Sequence, residues 1–396
     1  MDIDRGPEPA TGRRTGTFGL YASFGCLGYL LTALGAILPE LREERGLPRA
    51  EVALYPSAFA LGLVVIGLVG HHLAARLGRY ALPAALAALV GGAAILAAGG
   101  GRLGAGLGAL VLGLGGAGLV QLVPAALRAA AHPGDGTVQI GLANAVASGA
   151  SVLSPILIGA ALAYGLGWRA PFAIPPLAVA AALLLVVFRP PAAGRDAPGE
   201  AEPRGGGARQ GAPRAFWGRW ADLVLAVGVE FCMVFWAADF LGDVKGLGSG
   251  AAATLSAAFV LGMAVGRTAS GPVVRAMGRP DRLLAVSALT GVAGFAVLWT
   301  APAPVAVAGL LVTGLGVALL YPVLLARALA AWPERPVRAA ARCALASGVA
   351  IGAAPLALGT LADLTTLRAA VFVAPALLVV LLVRCGRRLG AGPVSG

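Results

Sequence analysis

The chain is expected to be an all-α integral membrane protein, with twelve transmembrane helices in two pseudo-symmetric six-helix bundles. Three observations carry this. First, the mean hydropathy is +0.85, with 58% hydrophobic and only 12% charged residues, a composition that excludes an ordinary soluble domain. Second, apolar runs of roughly 18–25 residues recur along the chain, each able to span about 30 Å of hydrocarbon. Third, the two halves resemble each other after a shift of 200 positions.

The shift pairs Ser57 to Tyr80 with Ala257 to Pro280, with identities that include Phe59/Phe259, Gly62/Gly262, Gly78/Gly278 and Arg79/Arg279. It also pairs Pro155 with Pro355, Gly159 with Gly359 and Phe172 with Phe372. Between the halves, Arg189 to Arg219 is proline, glycine and charge with little to bury, so a disordered linker is expected. The domains are therefore residues 1–188, a linker at 189–219, and residues 220–396.

The first half reads as spans at about 18–38, 52–74, 80–100, 104–127, 138–163 and 171–188. The second reads as about 220–241, 251–273, 283–300, 304–327, 341–362 and 369–384. With a cytoplasmic N-terminus, the inside segments hold 23 of the 30 basic residues and the outside segments 7. That is the asymmetry of positive-inside topology, and it puts both termini and the linker in the cytoplasm. The first 17 residues are polar and the first apolar run is long enough to stay as a span, so no cleaved leader is expected.

Twelve spans in two halves, with a cytoplasmic linker, resemble the major facilitator superfamily, whose halves are parallel repeats around a site near the midplane. The family's signature after the second span is roughly G-x-L-A-D-R-x-G-R. Here it corresponds to Leu73-Ala74-Ala75-Arg76-Leu77-Gly78-Arg79, with His71 at the glycine position and Ala75 at the aspartate position. The second copy, Gly271 to Arg279 with Arg275 and Gly278, keeps both glycines and also lacks the aspartate. The resemblance implies that these loops brace the cytoplasmic side. Gly167-Trp168-Arg169, Gly314-Leu315-Gly316 and Tyr321-Pro322 are further family-like features. Drug/proton antiporters of the superfamily carry an arginine and a Gly-Pro pair where this chain has Ala109 and Ser154-Pro155.

Several other functions are excluded or disfavoured. The net charge of +12 is scattered between apolar runs, so no nucleic acid is expected. Gly113 to Gly118 fits the dinucleotide pattern, but no βαβ unit precedes it; small residues that let membrane helices approach explain it. The four cysteines are far apart and the three histidines have no metal-ligand spacing. No catalytic motif or P-loop occurs, so neither an enzyme nor a cofactor is expected. The expected partners are a small-molecule solute, protons and the bilayer, for a monomer in a bacterial inner membrane. The predominance of Arg over Lys and the richness in Ala and Gly suggest a GC-rich genome.

Candidate pathway residues follow from polarity at depth. Glu230 sits near the middle of span seven, where an acid costs about 2.5–3.5 kcal/mol on insertion scales. It must face a cavity, find a partner or stay protonated, which suits a proton carrier. Asp239, nine positions on, is expected to be a solvated end residue, and Trp236 shares a cavity with Glu230 only if the helix is irregular. Asn144, Ser148, Ser151 and Pro155 form a polar stripe on one face of span five. Gln121 and Arg128 share a face of span four, while Tyr29 and Tyr321 offer hydroxyls to a solute or only pack. Arg267 pairs with Asp222 or snorkels, and Arg128 is an ion-pairing candidate or a positive-inside anchor. The reading is a secondary transporter of a small organic solute working by alternating access, with proton coupling through Glu230. Drug or metabolite efflux by the same fold, and a non-transporting receptor or scaffold, stay open as alternatives.

Overall fold

In hydrocarbon every backbone N–H and C=O must find its partner within the protein, which leaves helices as the economical way across. The computed structural model describes residues 10–131, 135–186, 212–269 and 277–390, and within them it contains helices and no strand. The first half comprises α1 (Ala10–Arg45), α2 (Leu54–Leu77), α3 (Ala81–Ala98), α4 (Arg102–Ala130), α5 (Gly136–Ala163) and α6 (Arg169–Val186). The second comprises α7 (Arg214–Asp239), α8 (Ser249–Thr268), α9 (Pro280–Thr300), α10 (Ala303–Val317, continued as Leu320–Ala330), α11 (Pro336–Leu364) and α12 (Val373–Gly390). Ten helical stretches are long and apolar enough to span; one of them, Arg49–Ala98, contains both α2 and α3, and α6 is a shorter apolar helix. This fits the twelve-span expectation.

Where the boundaries move, side chains explain it. Helix α1 runs past the predicted 18–38 at both ends, because a helix does not stop where its apolar run stops. Helix α7 begins at Arg214, inside the stretch expected to be linker. There Phe216 is fully buried and Trp220 donates its indole N–H to the Arg342 carbonyl at 2.8 Å. Most of the expected linker, and Gly271 and Arg275 of the second loop motif, lie outside the described residues. Helix α10 breaks before Tyr321-Pro322, since Pro322 has no N–H and its ring meets the carbonyl four residues back.

The duplication is visible in space. Turns after α1 and α7 pass through left-handed Gly46 (φ 57°) and Gly246 (φ 72°), 200 positions apart. Glycine adopts that conformation without a Cβ penalty. Gly113 and Gly314 each lie so close to a repeat-related phenylalanine, Phe59 or Phe259, that a Cβ would strike its backbone. Such small-residue approaches hold membrane helices together where lipid removes the hydrophobic drive.

The two halves meet along α1/α7, α2/α11 and α5/α8. A Cβ on Gly35 of α1 would overlap the Val234 carbonyl of α7, and one on Gly159 of α5 would overlap Thr254 and the Gly250 carbonyl of α8. Repeat-related Gly359 of α11 packs in the same way on Arg49 and Ala53 before α2. These crossings lie toward the end of the bundle that carries the Arg45–Arg49 turn, hereafter the sealed end.

Candidate functional site

Between the halves, α1, α2, α4 and α5 face α7, α8, α10 and α11 across a cavity of about 320 Å³. Its apolar walls include Leu27, Leu31, Phe59, Leu63, Phe231 and Ile351; its polar side chains are Gln121, Asn144, Glu230, Arg267, Tyr321 and Ser347. A smaller recess of about 80 Å³ shares Leu31, Glu230, Phe231 and Arg267 with it and adds Thr32, Ser148 and Ser151. Seven of the residues singled out from sequence (Glu230, Arg267, Gln121, Asn144, Ser148, Ser151 and Tyr321) thus surround one space.

Glu230 Oε1 accepts from Arg267 Nη2 at 3.3 Å, with the glutamate side chain 15% and the arginine 40% exposed. The partner comes from α8, 37 positions away, and is not the Asp222 expected for Arg267. Asp222 is wholly buried, paired with Arg384 at 2.5 Å and Arg388 at 2.6 Å near the ends of α7 and α12. Arg128 has no carboxylate among its described partners; its Nε donates to the Pro124 carbonyl of its own helix at 3.2 Å. In the first half, polarity at the cavity is neutral. Gln121 donates to the Ile66 carbonyl at 3.3 Å, Asn144 to the Ile140 carbonyl at 2.9 Å, and Ser151 to the Gly28 carbonyl at 2.9 Å.

Two expected pathway residues lie elsewhere. Tyr29 is buried, and its hydroxyl donates to the Pro171 carbonyl at 2.5 Å. Trp236 is buried too, and its indole N–H donates to the Pro355 carbonyl at 3.1 Å. The Pro171 carbonyl lacks a helical donor because Pro175, four residues on, has no N–H, and the Tyr29 hydroxyl takes that place. Trp236 ties α7 to α11 through the Pro355 carbonyl. These side chains pin helices and do not line the cavity. The loop residues Arg76, Gly78, Arg79, Gly278 and Arg279 are exposed at the end opposite the seal, with Gly78 and Gly278 left-handed at φ 50° and 65°. Arg79 stacks over Tyr80 and donates to its hydroxyl at 2.8 Å.

Asp239 corrects the sequence reading most sharply. It is 3% exposed, not solvated, and two arginines of the other half reach it: Arg49 Nε at 2.7 Å and Arg42 Nη2 at 3.4 Å. Arg49 Nη2 also reaches Asp243 at 3.0 Å, in the π-helical turn Phe240–Val244 that widens the end of α7. Asp363 of α11 accepts from the backbone N–H groups of Arg49 and Ala50 at 2.9 and 2.7 Å. The first half supplies the cations here and the second the anions. A polar recess of about 470 Å³, lined among others by Glu40, Glu43, Asp239 and Asp243, lies against this clamp on the sealed side. It is larger than the central cavity, but it lies beside the clamp and is not lined by Glu230, Arg267 or the polar stripe of α5. Beneath the clamp, Ser57 donates to the Gly352 carbonyl at 2.9 Å. Toward the opposite end the cavity residues Gln121, Asn144 and Arg267 are exposed. The structure is closed at one end and accessible at the other.

Residues 20–341 match the family described as Major Facilitator Superfamily. Among solved structures, the chain is similar to a bacterial homolog of the human lysosomal transporter Spinster in an inward-facing and occupied conformation. The TM-score is 0.77 at 15% identity, covering 97% of this chain and 98% of that one. It is also similar to FucP, a transporter of the superfamily in the outward conformation, with TM-score 0.63, 16% identity, and 95% and 99% coverage. These likenesses are of fold. Among curated proteins none matches the chain.

Proposed function

We propose that the chain, which belongs to the Major Facilitator Superfamily, carries a small organic solute across the membrane by alternating access, driven by protons through Glu230. The observation that supports this is the Glu230–Arg267 pair, the one acid and one base among the described residues lining a cavity that lies between two pseudo-symmetric halves. A membrane-embedded ionisable pair that faces a cavity is costly unless it is used. The charge asymmetry of the loops supports a cytoplasmic basic end, with both termini there; in this reading the sealed end faces outward and the cavity faces inward. In this reading the protein is a monomer of the bacterial inner membrane, and the polar stripe Asn144–Ser148–Ser151 and Tyr321 meet the solute.

The test is reconstitution in proteoliposomes, with a solute chosen by thermal-shift screening of sugars, amino acids, organic acids and cationic drugs. A bound ligand at about 100 times its dissociation constant stabilises the protein by roughly 2.7 kcal/mol, enough to detect. Glu230→Gln is expected to abolish accumulation driven by an imposed pH gradient while leaving solute exchange at equal pH. Unchanged gradient-driven accumulation in Glu230→Gln overturns the coupling.

A further inference from the structure

The ion pairs of this chain are not all built alike. Arg327 grips Asp281 with two bonds, Nη1 to Oδ1 at 2.5 Å and Nη2 to Oδ2 at 2.9 Å. Asp222 is enclosed by Arg384 and Arg388 and has no exposed surface. Arg267 differs on both counts. It gives Glu230 a single N–H at 3.3 Å, and the acid it holds keeps 15% exposure at the cavity where Asp222 has none. An arginine has five N–H donors in a planar fork that suits a carboxylate in bidentate fashion, and among the described residues most of that fork is uncommitted.

The surroundings decide what could take it. Around Glu230, α8 brings Arg267 and α10 brings Tyr321, with Cys343 of α11 close to Tyr321. The lining residues contributed by α1, α2, α4 and α5 include no ionisable side chain. The pair is therefore neutral overall, and an added anion would leave two carboxylates on one guanidinium in a poorly solvated space, an unfavourable arrangement. An added anion together with a proton on Glu230 keeps the charge at zero. Phe59, Phe231, Leu27 and Leu31 offer an apolar bed for the rest of such a molecule.

We propose that the solute is a small amphipathic carboxylate whose carboxyl group takes Arg267 from Glu230, entering with one proton that Glu230 receives. This rests on the transporter reading above and names its substrate class. No covalent bond forms or breaks: the proton moves from water to the Glu230 carboxylate, and the solute anion replaces that carboxylate at the guanidinium.

The test uses the full chain in lipid nanodiscs, with benzoate and phenylacetate as probes against their shape-matched amides, benzamide and phenylacetamide. Binding is followed by thermal unfolding and calorimetry at a mildly acidic and an alkaline pH. The acids are expected to bind and the amides not, with affinity at least about tenfold tighter at the acidic pH. In Glu230→Gln the acids should bind equally at both pH values. Arg267→Gln should lose acid binding. Because that variant could fail by misfolding around an unpaired glutamate, the double variant Glu230→Gln/Arg267→Gln is added; it should fold and no longer distinguish acid from amide. Equal shifts from acid and amide in the unaltered protein, no shift from either acid, or a retained acid preference in the double variant overturns the proposal. Proteoliposome exchange separates this failure from that of the transporter reading. Flux of a neutral solute removes only the carboxylate, whereas no flux of any solute class removes both.

Discussion

The charges at the sealed end and those in the central cavity obey opposite designs. At the seal, Arg42 and Arg49 of the first half hold Asp239 and Asp243 of the second. In the cavity, Glu230 and Arg267 both belong to the second half. A pair that crosses the interface must break when the halves part, so it sets which arrangement is stable. A pair within one half survives that motion, so its state depends on what enters the cavity and not on where the halves stand. In the transporter reading proposed above, the clamp would carry conformational bias and the cavity pair ligand chemistry.

The most disruptive way to break this contrast is to empty the clamp. Asp239→Ala leaves Arg42 and Arg49 facing each other without their shared acid, which should weaken the sealed arrangement by roughly 3–5 kcal/mol. The readout is labelling of a cysteine placed at Ser57, beneath the seal, by a membrane-impermeant thiol reagent; the four native cysteines are buried. Labelling should rise by at least about a hundredfold. Unchanged labelling would mean the clamp does not hold the end shut.

A smaller effect is expected from the crossing beside it. Gly159→Leu forces side-chain volume against Thr254 and Gly250 and should cost about 1–3 kcal/mol of overpacking, visible as a lower unfolding temperature and more labelling at position 57. Gly149→Ala on the same helix meets nothing within 4 Å and serves as the silent control. Equal behaviour of the two would remove close approach as the reason for glycine at 159.

The smallest expected effects separate packing from binding. Trp236→Phe deletes one hydrogen bond, to the Pro355 carbonyl, and should lower stability by about 0.5–1.5 kcal/mol without changing solute affinity. Tyr321→Phe should do the reverse, weakening solute binding by up to about tenfold with little effect on unfolding. If Trp236→Phe alters affinity in calorimetry, the indole belongs to the site after all.

The architecture was legible because hydrophobicity and loop charge are properties of segments, which a chain displays in order. Glu230 was legible by the same logic, since an acid in the middle of an apolar run stands out wherever its partner lies. The partner did not. Arg267 sits on the next helix, and helical spacing within α7 says nothing about which face of α8 it meets. Asp239 was misread because its distance from Glu230 around α7 suggested solvent, whereas the arginines that bury it come from about 190 positions earlier in the chain. A signal was present: Arg42, Arg45 and Arg49 crowd one outside turn, against the charge rule, and basic residues in the disfavoured place ask for an acidic partner. Tyr29 and Trp236 were plausible by chemistry alone; only packing shows that their polar atoms are spent on backbone carbonyls.

The glycine crossings have a mechanical consequence. Where Gly159 lies against Gly250 and Gly35 against Val234, backbone meets backbone with almost no side chain between, and such a contact is stiff in compression but free to roll. In the transporter reading it would serve as a fulcrum near one end of the beam. From Gly159 to the far end of α5 at Gly136 the helix extends roughly 35 Å at about 1.5 Å per residue. A rotation of about 10° at the crossing would therefore sweep that far end through roughly 6 Å.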